Sequence, residues 1–325
     1  MRNSLNPGVS SVLIAMIVGG APFAYAQSYP SRPVRLIVNV APGGGSDILA
    51  RKLSPTLAQH LGQTIVVDNK AGAAGIVGTA TAAAAPADGH TLTMISGSHA
   101  SNAPLHKTLP YHPVDSFTPV ILFALSPQVL LTHPAAPFRT IKELLAYSKA
   151  NPQKLNMGSS GTGSTPHLSG ELLKMMSGLA FTHVPYKGGG PAIADLIGGQ
   201  INLLFVVTQT AMPQVAAGKV RPIAVASAKR LSAFPDAPTI AESGVPGYEA
   251  TNLAGVLAPA RTPDRIVQAI YDAMVKTIRS REIRDWMVDQ GLEPVETGSA
   301  EFRRILQSEI AKWTKVVVAS GIAAE

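Results

Sequence analysis

Four times along this chain an apolar run ends in a glycine-rich turn and gives way to helical spacing. That recurrence leaves few folds open. The turns fall at 42–47, 71–75, 158–165 and 188–191. The first follows Val34-Arg35-Leu36-Ile37-Val38-Asn39-Val40, a run of strand type. It precedes Leu49, Leu53, Leu57 and Leu61, spaced as on one face of a helix. Further strand-type runs at 64–67 and 91–95 complete a first series, with an alanine-rich helix reaching about residue 85. Strands alternating with helices predict doubly wound α/β sheets.

A second series runs through strands at 154–157, 181–184, 201–207 and 221–227, with helices at 166–177, 191–198 and 210–217 between them. A helix at 140–150 precedes it, opened by the capping box Thr140-Ile141-Lys142-Glu143. Residues 101–119 carry four prolines and read as irregular, followed by two short strands at 120–125 and 129–132. One more strand at 253–258 leads into helices starting near Pro263, Ser280 and Ser299, with Trp286 and Trp313 as core residues. The chain thus crosses between the series near 124–132 and again near 248–258. The expected organisation is a first domain of 27–125 plus 255–325, a second of 126–254, and a two-strand hinge between them. The cleft of such a pair is the default ligand site.

The first 26 residues read as a secretory leader. Arg2 precedes the apolar stretch 12–18, and Ala24-Tyr25-Ala26 supplies a cleavage signal. The stretch falls short of the roughly 20 apolar residues of a membrane span, so an exported, periplasmic protein is expected. Absence of cysteine excludes disulfides, thiolate metal sites and cysteine nucleophiles. The 27 Lys and Arg against 20 Asp and Glu are scattered, with Lys229-Arg230 and Arg303-Arg304 the densest pairs. No basic stripe interleaved with aromatics occurs, so no nucleic-acid partner is expected.

Enzyme templates fit poorly. Residues 158–165 resemble a phosphate loop but place Ser164 where lysine is needed. The first turn lacks GxGxxG, no G-x-S-x-G occurs, and the eight histidines form no HExxH. No cofactor, metal or catalytic residue is expected; an unconventional hydrolase drawing on Asp47, His99, His167 and nearby serines is the remaining catalytic reading. His106 and His112 read as surface groups. Asp47 reads as a cap on backbone N–H groups, and His167 as a brace for its loop.

The four turns suit an anion better. Glycine lets the backbone approach a ligand, and the helix that follows offers unpaired N–H groups at its positive end. Two turns fall in each domain, and Ser159, Ser160, Thr162, Ser164 and Thr165 add hydroxyls.

These residues carry a family likeness. Val40-Ala41-Pro42-Gly43-Gly44-Gly45-Ser46-Asp47, Val67-Asp68-Asn69-Lys70-Ala71-Gly72-Ala73, Gly158-Ser159-Ser160-Gly161-Thr162-Gly163 and His183-Val184-Pro185-Tyr186-Lys187-Gly188-Gly189-Gly190-Pro191 resemble the loops of the Bug family. These are periplasmic receptors of tripartite tricarboxylate transporters. The likeness covers the mature chain and implies a type II Venus flytrap, monomeric, closing over a small carboxylate for delivery to membrane permease subunits. A sensor subunit presenting its ligand to a membrane kinase would have the same sequence. Carried over, Ala41, Gly43, Gly44, Ser46, Asp47, Ala71, Gly72, Ser160, Thr162 and Ser164 hold the carboxylate. Ser98, His99, Tyr186 and Thr208 meet the variable end of the ligand. Bulk at Gly44 or Gly161 should abolish binding, whereas Lys187→Ala should weaken it partly. Val206-Val207 stand where many relatives carry Asp-Asn, and Asn252 stands where an aromatic is frequent. Within the expected class of di- or aromatic carboxylates, both departures, together with His99, argue against a short dicarboxylate or an amino acid and for an aromatic or a longer, partly apolar carboxylate.

Overall fold

A computed structural model describes residues 29–322; the leader expected at 1–26 lies outside the described residues. The first series comprises β1 (Val34–Val38), α1 (Gly45–Leu61), β2 (Ile65–Asn69), α2 (Ile76–Ala83), β3 (Thr91–Ile95) and α3 (Ser98–Leu105). A long β4 (Phe117–Thr132) leads to α4 (Ile141–Ala150), β5 (Asn156–Ser159), α5 (Thr165–Ser177), β6 (Thr182–Pro185), α6 (Gly189–Ile197), β7 (Leu203–Val207), α7 (Thr208–Ala216) and β8 (Arg221–Val225). The chain returns through β9 (Thr251–Pro259) and ends in α8 (Asp264–Arg279), α9 (Arg281–Asp289), β10 (Glu293–Gly298) and α10 (Ser299–Ser320).

Two lobes result. In the first, β2, β1 and β3 run parallel, and β9 lies antiparallel to β3. In the second, β6, β5 and β7 run parallel. One strand joins them: β4 pairs with β9 and β10 from Phe117 to Pro127, then with β7 and β8 from Gln128 to Thr132. The sequence suggested two short strands at 120–125 and 129–132; the structure runs one strand through Ser126 and Pro127. Proline removes one donor, yet partners on both sides keep the strand extended, and the Pro127 carbonyl accepts the Thr208 hydroxyl at 2.9 Å.

Two elements went unread in the sequence. Helix α3 occupies part of the expected irregular stretch, with Pro104 inside its last turn. Its eight residues show no strong apolar period, and packing holds it: Ala100 and Leu105 are buried in one core with Leu168 and Leu172 of the second lobe. Strand β10 contains Pro294 and two glutamates, so it reads as loop; it forms by pairing with β4.

The segment 255–325, expected in the first domain, divides between the lobes. Phe302 and Leu306 of α10 pack with Ile37, Ile95 and Leu257, whereas Trp313, Val316 and Val317 are buried with Leu144, Leu168 and Phe205 of the second lobe. Trp286 is partly buried against the first-lobe core.

Candidate functional site

Strand ends and helix starts of both lobes enclose a cavity of about 650 Å³. From the first lobe, Asn39–Ala41 leave β1, and the turn Ala71–Gly75 leads into α2. Ser96–Ser98 open α3, and Asn252 on β9 adds a side chain near the hinge. The second lobe contributes Ser160, Thr162–Ser164, Thr165 and Pro166 at the start of α5. The lobes touch here. A Cβ on Gly97 would lie 2.7 Å from Thr165 Oγ1, and one on Gly163 would lie 2.7 Å from Leu105 Cδ1.

The helix starts at Gly75, Ser98 and Thr165 border this space. A helix start is the end where N–H groups lack intrahelical partners; some are already engaged locally, the Gly75 N–H by the Gly72 carbonyl, the His99 N–H by the Ser96 carbonyl and the His167 N–H by Ser164 Oγ. The turn before α2 is strained: Ala73 and Ala74 sit at φ 44° and 52°, in the left-handed region that L-residues avoid. The Asn102 amide, donating to the Ala74 carbonyl at 3.1 Å, holds it there. The amide oxygens of Asn39 and Asn252 are buried and find no hydrogen-bond partner among the described residues.

Each lobe braces its loop differently. In the first, Asp47 Oδ2 accepts the Gly43 N–H at 2.8 Å, and Oδ1 accepts Arg51 Nε and Asn69 Nδ2, both at 2.9 Å. Burial pushes the Asp47 carboxyl up, but these donors together hold it below its usual range. In the second, Ser164 caps α5, and His167 Nδ1 accepts the Gly163 N–H at 3.0 Å. Ser159 Oγ donates to the Gly161 carbonyl and accepts from His183 Nε2 at 2.7 Å. The His167 and His183 rings stack with centroids 3.6 Å apart. Burial, then the neighbouring His183 and Lys174, push His167 down to about 3; burial pushes His183 down to about 4. Both rings are therefore neutral at neutral pH.

Of the residues expected to contact ligand, Ala41, Ala71, Gly72, Ser98, Ser160, Thr162 and Ser164 line the cavity. Gly43, Gly44, Ser46 and Asp47 do not; they form the turn into α1 and its first residues, and the Asp47 carboxylate is spent on backbone and side-chain donors of its own lobe. His99 needs correction. Its Nε2–H donates to the Pro113 carbonyl at 2.8 Å, and its ring lies between Tyr111 and Phe117, off the cavity wall. Burial pushes it down to about 4. Tyr186 is also off the wall, its hydroxyl donating to Asp195 Oδ2 at 2.7 Å. Thr208 is fully buried at the hinge on the Pro127 carbonyl. His112 is an exposed residue beside Asp115, as expected, but His106 is half-buried on the cavity wall.

Asn39, Ser96, Asn102 and His106 are wall residues the sequence reading missed. Asn39 had a signal: an amide ending an apolar strand at the end where α/β ligands bind. Ser159 and His183 form a hydrogen-bonded pair, but Ser159 is fully buried off the wall and its proton is held by Gly161. Among the described residues no group of three or more His, Asp or Glu is placed to hold a metal ion.

This fold and interlobe cavity define a two-lobed α/β solute-binding protein. The profile of the tripartite tricarboxylate transporter family receptor matches residues 49–322. The chain belongs to that family, the Bug-type solute-binding receptors, and is not an enzyme. It is 34% identical to protein BugT of Bordetella pertussis over 315 residues, covering 96% of each chain. Among solved structures it resembles Rpa4515 of R. palustris with adipate at 38% identity and TM-score 0.80, covering 91% of this chain and 99% of that one. MatC of Rhodopseudomonas palustris with bound malate is 32% identical, with TM-score 0.76, covering 89% of this chain and 100% of that one.

Proposed function

We propose that this protein captures a dicarboxylate or aromatic carboxylate between its lobes in the periplasm and hands it to the membrane subunits of a tripartite tricarboxylate-type transporter. Ala41, Ala71, Gly72, Ser98, Ser160, Thr162 and Ser164 would line the ligand, and the protein would act as a monomer. One observation carries the reading: helix starts from both lobes converge on one cavity, and among the described residues no Lys, Arg, Asp or Glu lines it. Backbone N–H groups held away from water bind an anion without a formal cation, because charge-assisted hydrogen bonds are about twice as strong as neutral ones. Relatives with adipate and with malate support the ligand class.

The lobes divide near residues 125/126 and 254/255, with the last turns of α10 joining the second. Ligand contacts made by both lobes exist only when the lobes approach, so binding shifts the population toward the closed form. No helix among the described residues is long and apolar enough to cross a membrane.

The test is a thermal-shift and calorimetric screen of aliphatic and aromatic mono- and dicarboxylates against the wild type and Gly161→Val. Gly161 sits at φ 128°, so a branched side chain strains the loop. Binding by the wild type, and its loss in a Gly161→Val protein that still unfolds cooperatively, are expected. Wild-type affinity in that variant would remove the loop from the site.

A further inference from the structure

Helix α3 lies along the cavity rather than only pointing into it. Ser98, Asn102 and Leu105 line the wall at spacings that share one helix face, and His106, the extended residue that ends the helix, lines it next. Eight residues at 1.5 Å each separate Ser98 from His106 by about 12 Å. The Ser98 end adjoins the helix starts that favour an anion; the other end carries an imidazole. Among the described residues that line the cavity, His106 is the one ionisable side chain. The apolar atoms of Leu105, Pro166 and Ile322 also line the cavity.

Resting on the carboxylate reading above, we infer that His106 receives the second acidic group of an elongated dicarboxylate whose first carboxylate sits at the helix starts. The chemistry selects for length. A four-carbon diacid has carboxyl carbons three bonds, about 4 Å, apart and cannot bridge the two ends. Six- and eight-carbon diacids extend about 6 to 9 Å by the same reckoning, and hydrogen bonds at each end complete the span. Their methylene chains suit the apolar side chains, where a hydroxylated or amino-substituted short acid would leave polar groups unpaired.

The experiment is calorimetry with succinate, adipate, suberate, hexanoate and octanoate against the wild type, His106→Ala and His106→Gln. Thermal unfolding establishes that each variant is folded. The wild type should bind adipate or suberate at least about tenfold more tightly than the monoacid of equal length, a margin typical of one good charge-assisted contact. His106→Ala should bring the two within about twofold, with the diacid losing more affinity than the monoacid, and His106→Gln, which keeps a donor, should recover part of the margin. An unchanged margin in His106→Ala overturns the inference, as does succinate binding as tightly as suberate. Monoacid binding without any gain from a second carboxylate sinks this assignment alone. Failure of every acid to bind the wild type sinks the carboxylate reading with it.

Discussion

Two loops, one from each lobe, are held by opposite means. The first-lobe turn at 40–47 is organised around an ionised group: Asp47 gathers the Gly43 N–H, Arg51 and Asn69, and Asn69 also donates to the Val40 carbonyl. The second-lobe loop at 158–165 is organised around uncharged imidazoles, with His167 accepting from Gly163 and His183 donating to Ser159. A charged brace is strong but brings its own field. Asp47 is nearly fully buried, off the cavity wall and matched by donors, so its charge is neutralised before it can repel an incoming anion. The second loop, which presents Ser160, Thr162 and Ser164, is shaped without any charge. Both loops can thus be rigid while neither turns a formal charge toward the guest.

Removing the charged brace should have the largest effect. Asp47→Ala leaves three donors without their acceptor and should lower stability by on the order of 3 kcal/mol, read as a shifted urea midpoint. A loss below about 1 kcal/mol would mean that the carboxylate contributes little to the turn. His167→Phe keeps a ring against His183 but orphans the Gly163 N–H. It should cost about 2 kcal/mol and weaken ligand binding, because the donors of this loop lose their fixed positions. Unchanged affinity in that variant would separate the brace from the site.

Acid should distinguish the braces. Burial holds His99 at about 4, as it does His183, and His167 lies at about 3, against an ordinary value near 6.5. As pH falls the unfolded chain takes up these protons first. Stability is therefore full above about pH 6.5 and declines as pH drops through 4 toward 3. Asp47, held below its usual range, contributes in full above the ordinary carboxylate value near 4, and that contribution is lost as the pH falls from there through the lowered value. Urea midpoints between pH 7 and 4 should fall steadily in the wild type and less steeply in His167→Phe. Asp47→Asn should leave that slope intact; a flattened slope there would break the distinction. The smallest effect belongs to Lys187→Ala. Lys187 is exposed and off the cavity wall, so affinity and stability should move by no more than about 0.5 kcal/mol, less than the sequence reading anticipated.

Features set by neighbouring residues were legible in the sequence. The strand–turn–helix order, the cap at Thr140 and the cavity-lining turns at Ala71–Gly72 and Ser160–Ser164 follow from glycine, periodicity and hydroxyl placement. Features set by distant partners were not. His99 stands one residue from Ser98, which lines the cavity, yet its ring turns the other way because Pro113, Tyr111 and Phe117 receive it. Thr208 opens α7 where a ligand contact was reasonable, but the Pro127 carbonyl of a strand 81 residues earlier takes its proton. His106 looked peripheral because α3, which carries it to the cavity, is held by packing rather than by its own periodicity.

The 22 residues of α10 make a rod about 33 Å long, socketed at Phe302 in one lobe and at Trp313 in the other. Withdrawing either aromatic ring would cost several kcal/mol, so the molecule resists the scissor-like gape that two strands alone would permit. Parting the halves therefore means either drawing one ring from its socket or bending the shaft between Phe302 and Trp313.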